Sequence, residues 1–245
     1  MKALLGLSGV IGVVLLWALL AITVGRGAIP TPEGTVRQLY DDGWAFYGPD
    51  IASTGWEALR GFFWGNVMAI ALAVVVILAP PLERIVTQIG IVSYCLPVVA
   101  VGPILTVMLN GDTAIVAMAA LLVFFTTLIG VLAGLRAADR TSLELVAAFG
   151  GGRWMQLLKV RLIAALPSSF AALKIAAPSA VLGAIIGEFL GRVDGGLGPA
   201  MVVAQQQLQT ERTWGIALVA GALAAAGYGA VALAARFAIP WERAA

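Results

Sequence analysis

The amino-acid sequence predicts an all-α membrane protein with about six transmembrane helices, each built on roughly 20 apolar residues. Three observations carry that prediction. Of the 245 residues, 61% are hydrophobic and only 11% are charged, whereas soluble domains average about 25% charged residues. Apolar stretches without a charged residue recur along the chain, separated by segments that hold most of the charge. Those stretches are continuously apolar, unlike barrel strands, which alternate, and only helices or closed barrels satisfy their backbone in lipid. No internal repeat or low-complexity linker divides the chain, so residues 1–245 read as a single transmembrane domain.

The first stretch, Ala3–Gly25, exceeds the apolar core of a signal peptide, about 7–15 residues, and no strong small-residue cleavage site follows it. It reads as an uncleaved spanning helix. Residues 26–60 follow, with Pro30, Pro32, Asp41, Asp42 and Asp50. Within them, Thr35–Tyr47 mixes Val36, Leu39, Tyr40, Trp44 and Phe46 with charges. Two readings stay open there: an interfacial helix anchored by Trp44 and Tyr47, or an ordinary loop. Gly61–Leu82, Ile85–Gly111 and Thr113–Leu135 read as the second, third and fourth spans. Leu162–Gly187 is the fifth, interrupted only by Lys174, and Thr213–Ala235 the sixth. The segment 192–212 between them opens Asp194-Gly195-Gly196-Leu197-Gly198. Pro97, Pro103 and Pro178 are expected to bend their helices, although proline is also common in membrane helices generally.

Orientation follows from basic residues flanking the spans. With the N-terminus inside, nine lie on the cytosolic side: Lys2, Arg84, Arg136, Arg140, Arg153, Lys159, Arg161, Arg236 and Arg243. Five lie outside: Arg26, Arg37, Arg60, Arg192 and Arg212. The bias places both termini in the cytosol, and residues 136–161 supply most of it.

Composition also narrows the chemistry. The chain has no histidine, which removes the commonest metal ligand and general base. The single cysteine, Cys95, allows no internal disulfide. A net charge of +2 gives no sign of nucleic-acid binding. No Gly-x-x-x-x-Gly-Lys-Ser/Thr loop is present to cradle nucleotide phosphates. The expectation is a non-enzyme with no catalytic residue, metal or cofactor of its own.

The segment between the fourth and fifth spans, 136–161, is the most informative. Thr141 and Glu144 have the spacing of a capping box, and Ser142 to Phe149 is rich in helix formers. Gly150-Gly151-Gly152 then stops the helix, since glycine reaches the left-handed conformation a helix end needs. From Arg153, the apolar Trp154, Leu157, Leu158 and Val160 interleave with Arg153, Gln156, Lys159 and Arg161 in a second amphipathic helix, and Pro167 lies beyond it. A helix, a glycine turn and a helix running into the membrane have the shape to dock in a cleft of a soluble partner, or simply to join two spans.

That segment resembles the signature loop of binding-protein-dependent ABC importer permeases, Glu-Ala-Ala, three residues, Gly, and then nine residues to Ile-x-Leu-Pro. Glu144 and Gly150 have the separation of that pattern, and Val160-Arg161-Leu162 falls at the Ile-x-Leu position. Gly150 to Leu157 also fits a Gly-x-x-Arg-Trp-x-x-Leu run. Ala58 to Phe62, Ala133 to Arg136, Gly187 to Gly191 and Gly196 to Gly198 extend the likeness to the nitrate/sulfonate/taurine-type subfamily. Departures are Leu145-Val146 for the two alanines, Ile163 at the usual proline, and a Gly-Gly-Gly turn.

The resemblance implies a type I importer-like permease in the bacterial cytoplasmic (inner) membrane. Its partners would be a second permease subunit in a homo- or heterodimer, two cytosolic ATPase subunits that bind the ATP, an extracytoplasmic binding protein, and membrane lipid. Residues 141–153 would dock the ATPase: Glu144 as cap or ion pair, Gly150 as the turn, and Ala147, Ala148 and Phe149, with Arg153, at the ATPase groove. Buried polar residues of membrane helices are costly and often functional. Asn66, Lys174 and Glu188 are therefore candidates for the path or gate. Ser93, Tyr94, Asn110, Thr126, Thr127, Ser168, Ser169 and Ser179 are weaker ones, whose plain role is bonding between helices. Rival readings are a secondary transporter, which would usually carry a carboxylate or histidine near the bilayer midplane where no span centre of this chain has one, a membrane enzyme, and a purely structural membrane subunit.

Overall fold

Proline and glycine punctuate this chain, and most helix ends fall at them. The computed structural model describes residues 2–23, 28–109, 111–191 and 195–241, with side chains described from Ser8 onward except Val10. Helix α1 is Lys2–Thr23 and α2 is Pro32–Leu78. Thr31 caps α2 through its hydroxyl, which accepts the Gly34 N–H at 3.1 Å, and Pro32 occupies the first turn, where no N–H is needed. A 3-10 turn, Pro80–Leu82, leads to α3, Glu83–Cys95, followed by α4, Val98–Met108, and α5, Asp112–Arg136. Helix α6 is Arg140–Ala148, α7 is Arg153–Gln156, a π turn covers Leu157–Arg161, and α8 is Leu162–Leu190. Helices α9, Leu197–Gln206, and α10, Thr210–Ala238, complete the described fold, which contains no strand among the described residues.

Four helical segments are long and apolar enough to cross a membrane: α2, α5, the continuous run Arg153–Leu190 and α10. The stretch Pro80–Cys95 and α4 are together long and apolar enough for one more span, bent between them. At 22 residues, α1 is about 33 Å long, enough to cross the hydrocarbon core. Lys174 lies in the interior of α8, half-buried. Among the residues used for orientation, Arg26, Arg192, Arg243 and the Lys2 side chain lie outside the described residues, as do Asn110 and Asp194.

The bend expected at Pro97 is present as a break, where α3 and α4 meet at 98°. Leu96, at φ −67 and ψ 120, is held out of helical geometry by Pro97, and Pro97 has no N–H to offer. The loop alternative for 35–47 fails, because α2 runs through that segment with one kink at Gly43, where φ is +62. Within it, Trp44 is exposed but Tyr47 is 5% exposed, so Tyr47 cannot be a headgroup anchor. Its hydroxyl donates to Asp42 at 3.2 Å.

Helix α5 is the centre of the bundle, with Ala119 and Ala120 at its closest contacts. A Cβ on Gly65 of α2 would stand 2.7 Å from the Ala120 carbonyl oxygen, and one on Gly183 of α8 would stand 2.6 Å from the Ala119 Cα. Lipid supplies no hydrophobic drive between helices, so close backbone contact through small residues holds them together. Asn66 of α2 adds a polar link, accepting the Thr127 hydroxyl of α5 at 2.6 Å. At the end of the bundle far from α6, Arg212 of α10 pairs with Asp42 of α2 through two nitrogens, at 2.9 and 2.5 Å. That arginine also lies 5.1 Å over the Phe46 ring.

Candidate functional site

At the opposite end, α6, the glycine turn and α7 stand away from the bundle. The cap of α6 is not Thr141 but Asp139, whose carboxylate accepts the Ser142 N–H at 2.9 Å and the Ser142 hydroxyl at 3.0 Å. Those bonds hold the Asp139 carboxyl below its ordinary pKa. Asp139 wins because it lies one position before the first helical residue, where a short acceptor reaches the free N–H groups. Glu144 instead pairs with Arg140 at 3.1 Å, one turn away on the exposed face.

The helix ends in a Schellman turn. The Gly150 N–H donates to Ala147 O and the Gly151 N–H to Val146 O, both at 2.9 Å. Three successive glycines do three different things. Gly150 has φ +82, the left-handed conformation. Gly151 is packed, since a Cβ there would lie 2.8 Å from Val146 O and 2.9 Å from Met155 Sδ. Gly152 has ordinary extended geometry and open space. Gly151→Ala should therefore loosen α6 by about 1–3 kcal/mol through overpacking, and Gly152→Ala should not. Amide hydrogen exchange in α6 checks this, with roughly tenfold faster exchange per 1.4 kcal/mol in the first variant alone.

The turn is fastened to the bundle by its arginines. Arg153 donates to the Leu78 carbonyl at the end of α2, 3.3 Å away, and Arg161 to the Leu135 carbonyl near the end of α5, 2.9 Å away. Both satisfy carbonyls that a helix end leaves open. The Gln156 amide bridges to Leu143 O at 3.1 Å, and Leu157 is fully buried against Leu135 and Ala165. α7, the π turn and α8 form one unbroken rod of 38 residues, so the turn is continuous with α8. The outward face carries Leu145, Ala147, Ala148 and Phe149, with Phe149 84% exposed. An apolar face of this kind, on a rigid stub beside basic residues, suits a protein partner.

The polar candidates separate clearly. Asn66 is buried and bonded on both sides, to Thr127 and to the Phe62 carbonyl, and so acts as a link between helices. Ser93 and Ser179 bond to carbonyls of their own helices. Glu188 is 1% exposed at the far end of α8. It accepts the Thr54 hydroxyl at 2.6 Å and the Gly198 N–H at 2.8 Å. Thr54 accepts the Leu197 N–H at 2.9 Å, and Asp50 the Gly196 N–H at 3.0 Å. Three side chains from α2 and α8 thus satisfy the free N–H groups at the start of α9. A Cβ on Gly196 would fall on the Glu188 carboxyl, which accounts for the glycine. Glu57 lies buried beside Glu188, and its Oε2 has no hydrogen-bond partner among the described residues. The sequence reading missed Thr54 and Glu57. Their signal is Asp50, Thr54 and Glu57 at helical spacing on one face of α2.

Residues 65–240 match the family described as binding-protein-dependent transport system inner membrane component. A probable ABC transporter permease protein of Haemophilus influenzae is 28% identical over 218 residues, covering 86% of each chain. The formylaminopyrimidine transport permease protein ThiX of Halalkalibacterium halodurans is 25% identical over 230 residues, covering 93% of this chain and 92% of its own. The riboflavin transport system permease protein RibX of Chloroflexus aurantiacus is 34% identical over 131 residues, 53% of this chain and 48% of its own. The chain belongs to the inner-membrane components of binding-protein-dependent transport systems, with the type I ABC importer permease fold.

Proposed function

We propose that this chain is the permease subunit of an ATP-driven importer and that residues 141–153 dock a separate ATPase. The observation that carries this reading is the protruding α6–Gly150–α7 element, exposed on its apolar face and continuous with α8. The family supports an ATPase and an extracytoplasmic binding protein as partners. Two permease subunits would enclose the path and two ATPase subunits would bind the ATP, with the α6 end and both termini in the cytosol. ATP-driven closure of the ATPase pair would move α6, and the rod α7–α8 would carry that movement into the bundle. Coupling of this kind is a free energy shared between two sites through a two-state element.

The motifs at Gly187–Gly191 and Gly196–Gly198 support kinship with nitrate, sulfonate and taurine permeases. The names of two relatives instead support a nitrogen heterocycle as the solute. Of the two substrate classes, the heterocycle is the better supported, because the mid-depth groove described below carries no charged lining residue.

An Ala147→Cys variant in a Cys95→Ser background is expected to crosslink to a cysteine-scanned groove of the ATPase. Absence of crosslinks at every position from Leu145 to Gly152 would remove the docking assignment.

A further inference from the structure

We infer that the open groove between α3, α5 and α8 is the part of the path that touches the solute, and that it is built for an uncharged, planar heteroaromatic molecule. This rests on the reading above, in which two permease subunits enclose the path. The groove holds about 500 Å³, within the range of small-ligand sites. Tyr94 of α3 and Phe125 of α5 form its aromatic wall, stacked at 4.6 Å between centroids and 28° between planes. Thr126 of α5 and Ser168 of α8 add hydroxyls, with Gly130 and Ile175 between them.

Its depth follows from α5. Phe125 is the fourteenth residue of that 25-residue helix, so the aromatic pair sits near the middle of the membrane. Two residues past Tyr94 the chain breaks at Leu96–Pro97 and turns by 98°. The end of α3 leaves carbonyls that no helical N–H can satisfy. Backbone of that kind at membrane depth is tolerated only inside protein or beside a water-filled cavity. Yet Tyr94, two residues from the break, is 71% exposed on the groove side. A cavity shared with a second subunit would satisfy that backbone where lipid would not. Broken helices at the midplane also mark solute sites in other transporter architectures.

The lining chooses the solute. No charged side chain lines the groove, and Lys174, next to Ile175, is not among its walls. An anion there would lose hydration without gaining a counter-charge. Aromatic faces gain from offset stacking on a flat ring. The hydroxyls of Tyr94, Thr126 and Ser168 make no hydrogen bond to the described residues, whereas those of Thr127, Ser93 and Ser179 do. The free hydroxyls are both donors and acceptors, matching ring nitrogens and exocyclic amino or carbonyl groups.

The test uses the permease assembled with its ATPase in proteoliposomes, with Cys95→Ser and single cysteines at Thr126→Cys and Ser168→Cys. A charged, water-soluble thiol reagent should label both sites in at least one nucleotide state. Riboflavin and 4-aminopyrimidine, as uncharged planar probes, should slow labelling several-fold, while taurine and nitrate should not. Tyr94→Phe should keep that protection and Tyr94→Ala should lose it. Labelling that occurs only after unfolding would mean lipid or packed protein covers the groove, and would overturn the site. Protection by taurine, protection by neither set, or protection unchanged in Tyr94→Ala would overturn the solute class. Retention of the ATPase at α6 is scored separately in the same preparation. A failed groove with the ATPase retained removes this inference alone, and loss of the ATPase removes the importer reading beneath it.

Discussion

Gly150→Val is expected to uncouple the importer while leaving the membrane bundle folded. The residue holds φ +82, and left-handed backbone costs a non-glycine residue roughly 1–2 kcal/mol, most severely a β-branched one. Space is not the obstacle, since no atom lies within 4 Å of a Cβ placed there. The penalty falls on α6, a nine-residue helix, and helices shorter than about 12–15 residues are marginal by themselves. Losing the Gly150 and Gly151 bonds opens its last turn and displaces Ala147, Ala148 and Phe149. The bundle contacts of Arg153, Arg161 and Leu157 lie outside the turn and persist. Solute uptake in proteoliposomes should fall about tenfold or more, as 1.4 kcal/mol of lost coupling dictates, while ATP hydrolysis continues. Gly150→Asn should be much milder, because asparagine visits this conformation readily. Wild-type uptake by Gly150→Val would remove the mechanical role assigned to the turn.

Glu188→Ala should give the largest loss of stability outside the glycine contacts. It strips a buried acceptor from the Thr54 hydroxyl and the Gly198 N–H together. Each buried donor left without a partner costs about 1–3 kcal/mol, so a total near 3 kcal/mol is expected. At about 2–4 °C per kcal/mol for a chain of this size, thermal unfolding of the solubilised protein should move down by roughly 6–12 °C. Glu188→Gln keeps one acceptor oxygen and turns a donor toward Glu57, so its shift should be about half as large. Proteolysis near α9 should rise in step, since that helix loses the group that fixes its first turn. An unchanged melting temperature in Glu188→Ala would contradict this account of the far end.

The helix–glycine–helix loop was legible because its signals are local. Glu144, Gly150 and the alternation after Arg153 lie within one short stretch, where spacing alone places them on helices or a turn. The cap was misplaced by two positions, from Asp139 to Thr141, because both residues satisfy the same short-range rule. The roles of Glu188, Gly196 and Gly198 were not legible as a unit. Their partners Asp50 and Thr54 are more than 130 residues distant in sequence and belong to the part of segment 26–60 to which no helix was assigned. Asn66 looked like a path residue because any buried amide does, and only its Thr127 partner shows it to be a link.

By itself the sequence determined that this chain lives in lipid, that it is helical, and that a helix–glycine–helix stub separates two of its spans. Those properties depend on composition and on residues within a few turns of one another. Pro97 already marked the bend between α3 and α4; tertiary structure alone decided that Tyr94 meets Phe125 and that α9 is held by side chains of α2 and α8. Each of these depends on which helices become neighbours. That choice is made by small residues such as Gly65, Gly183 and Ala119, whose close backbone contact leaves almost no periodic mark in an apolar sequence.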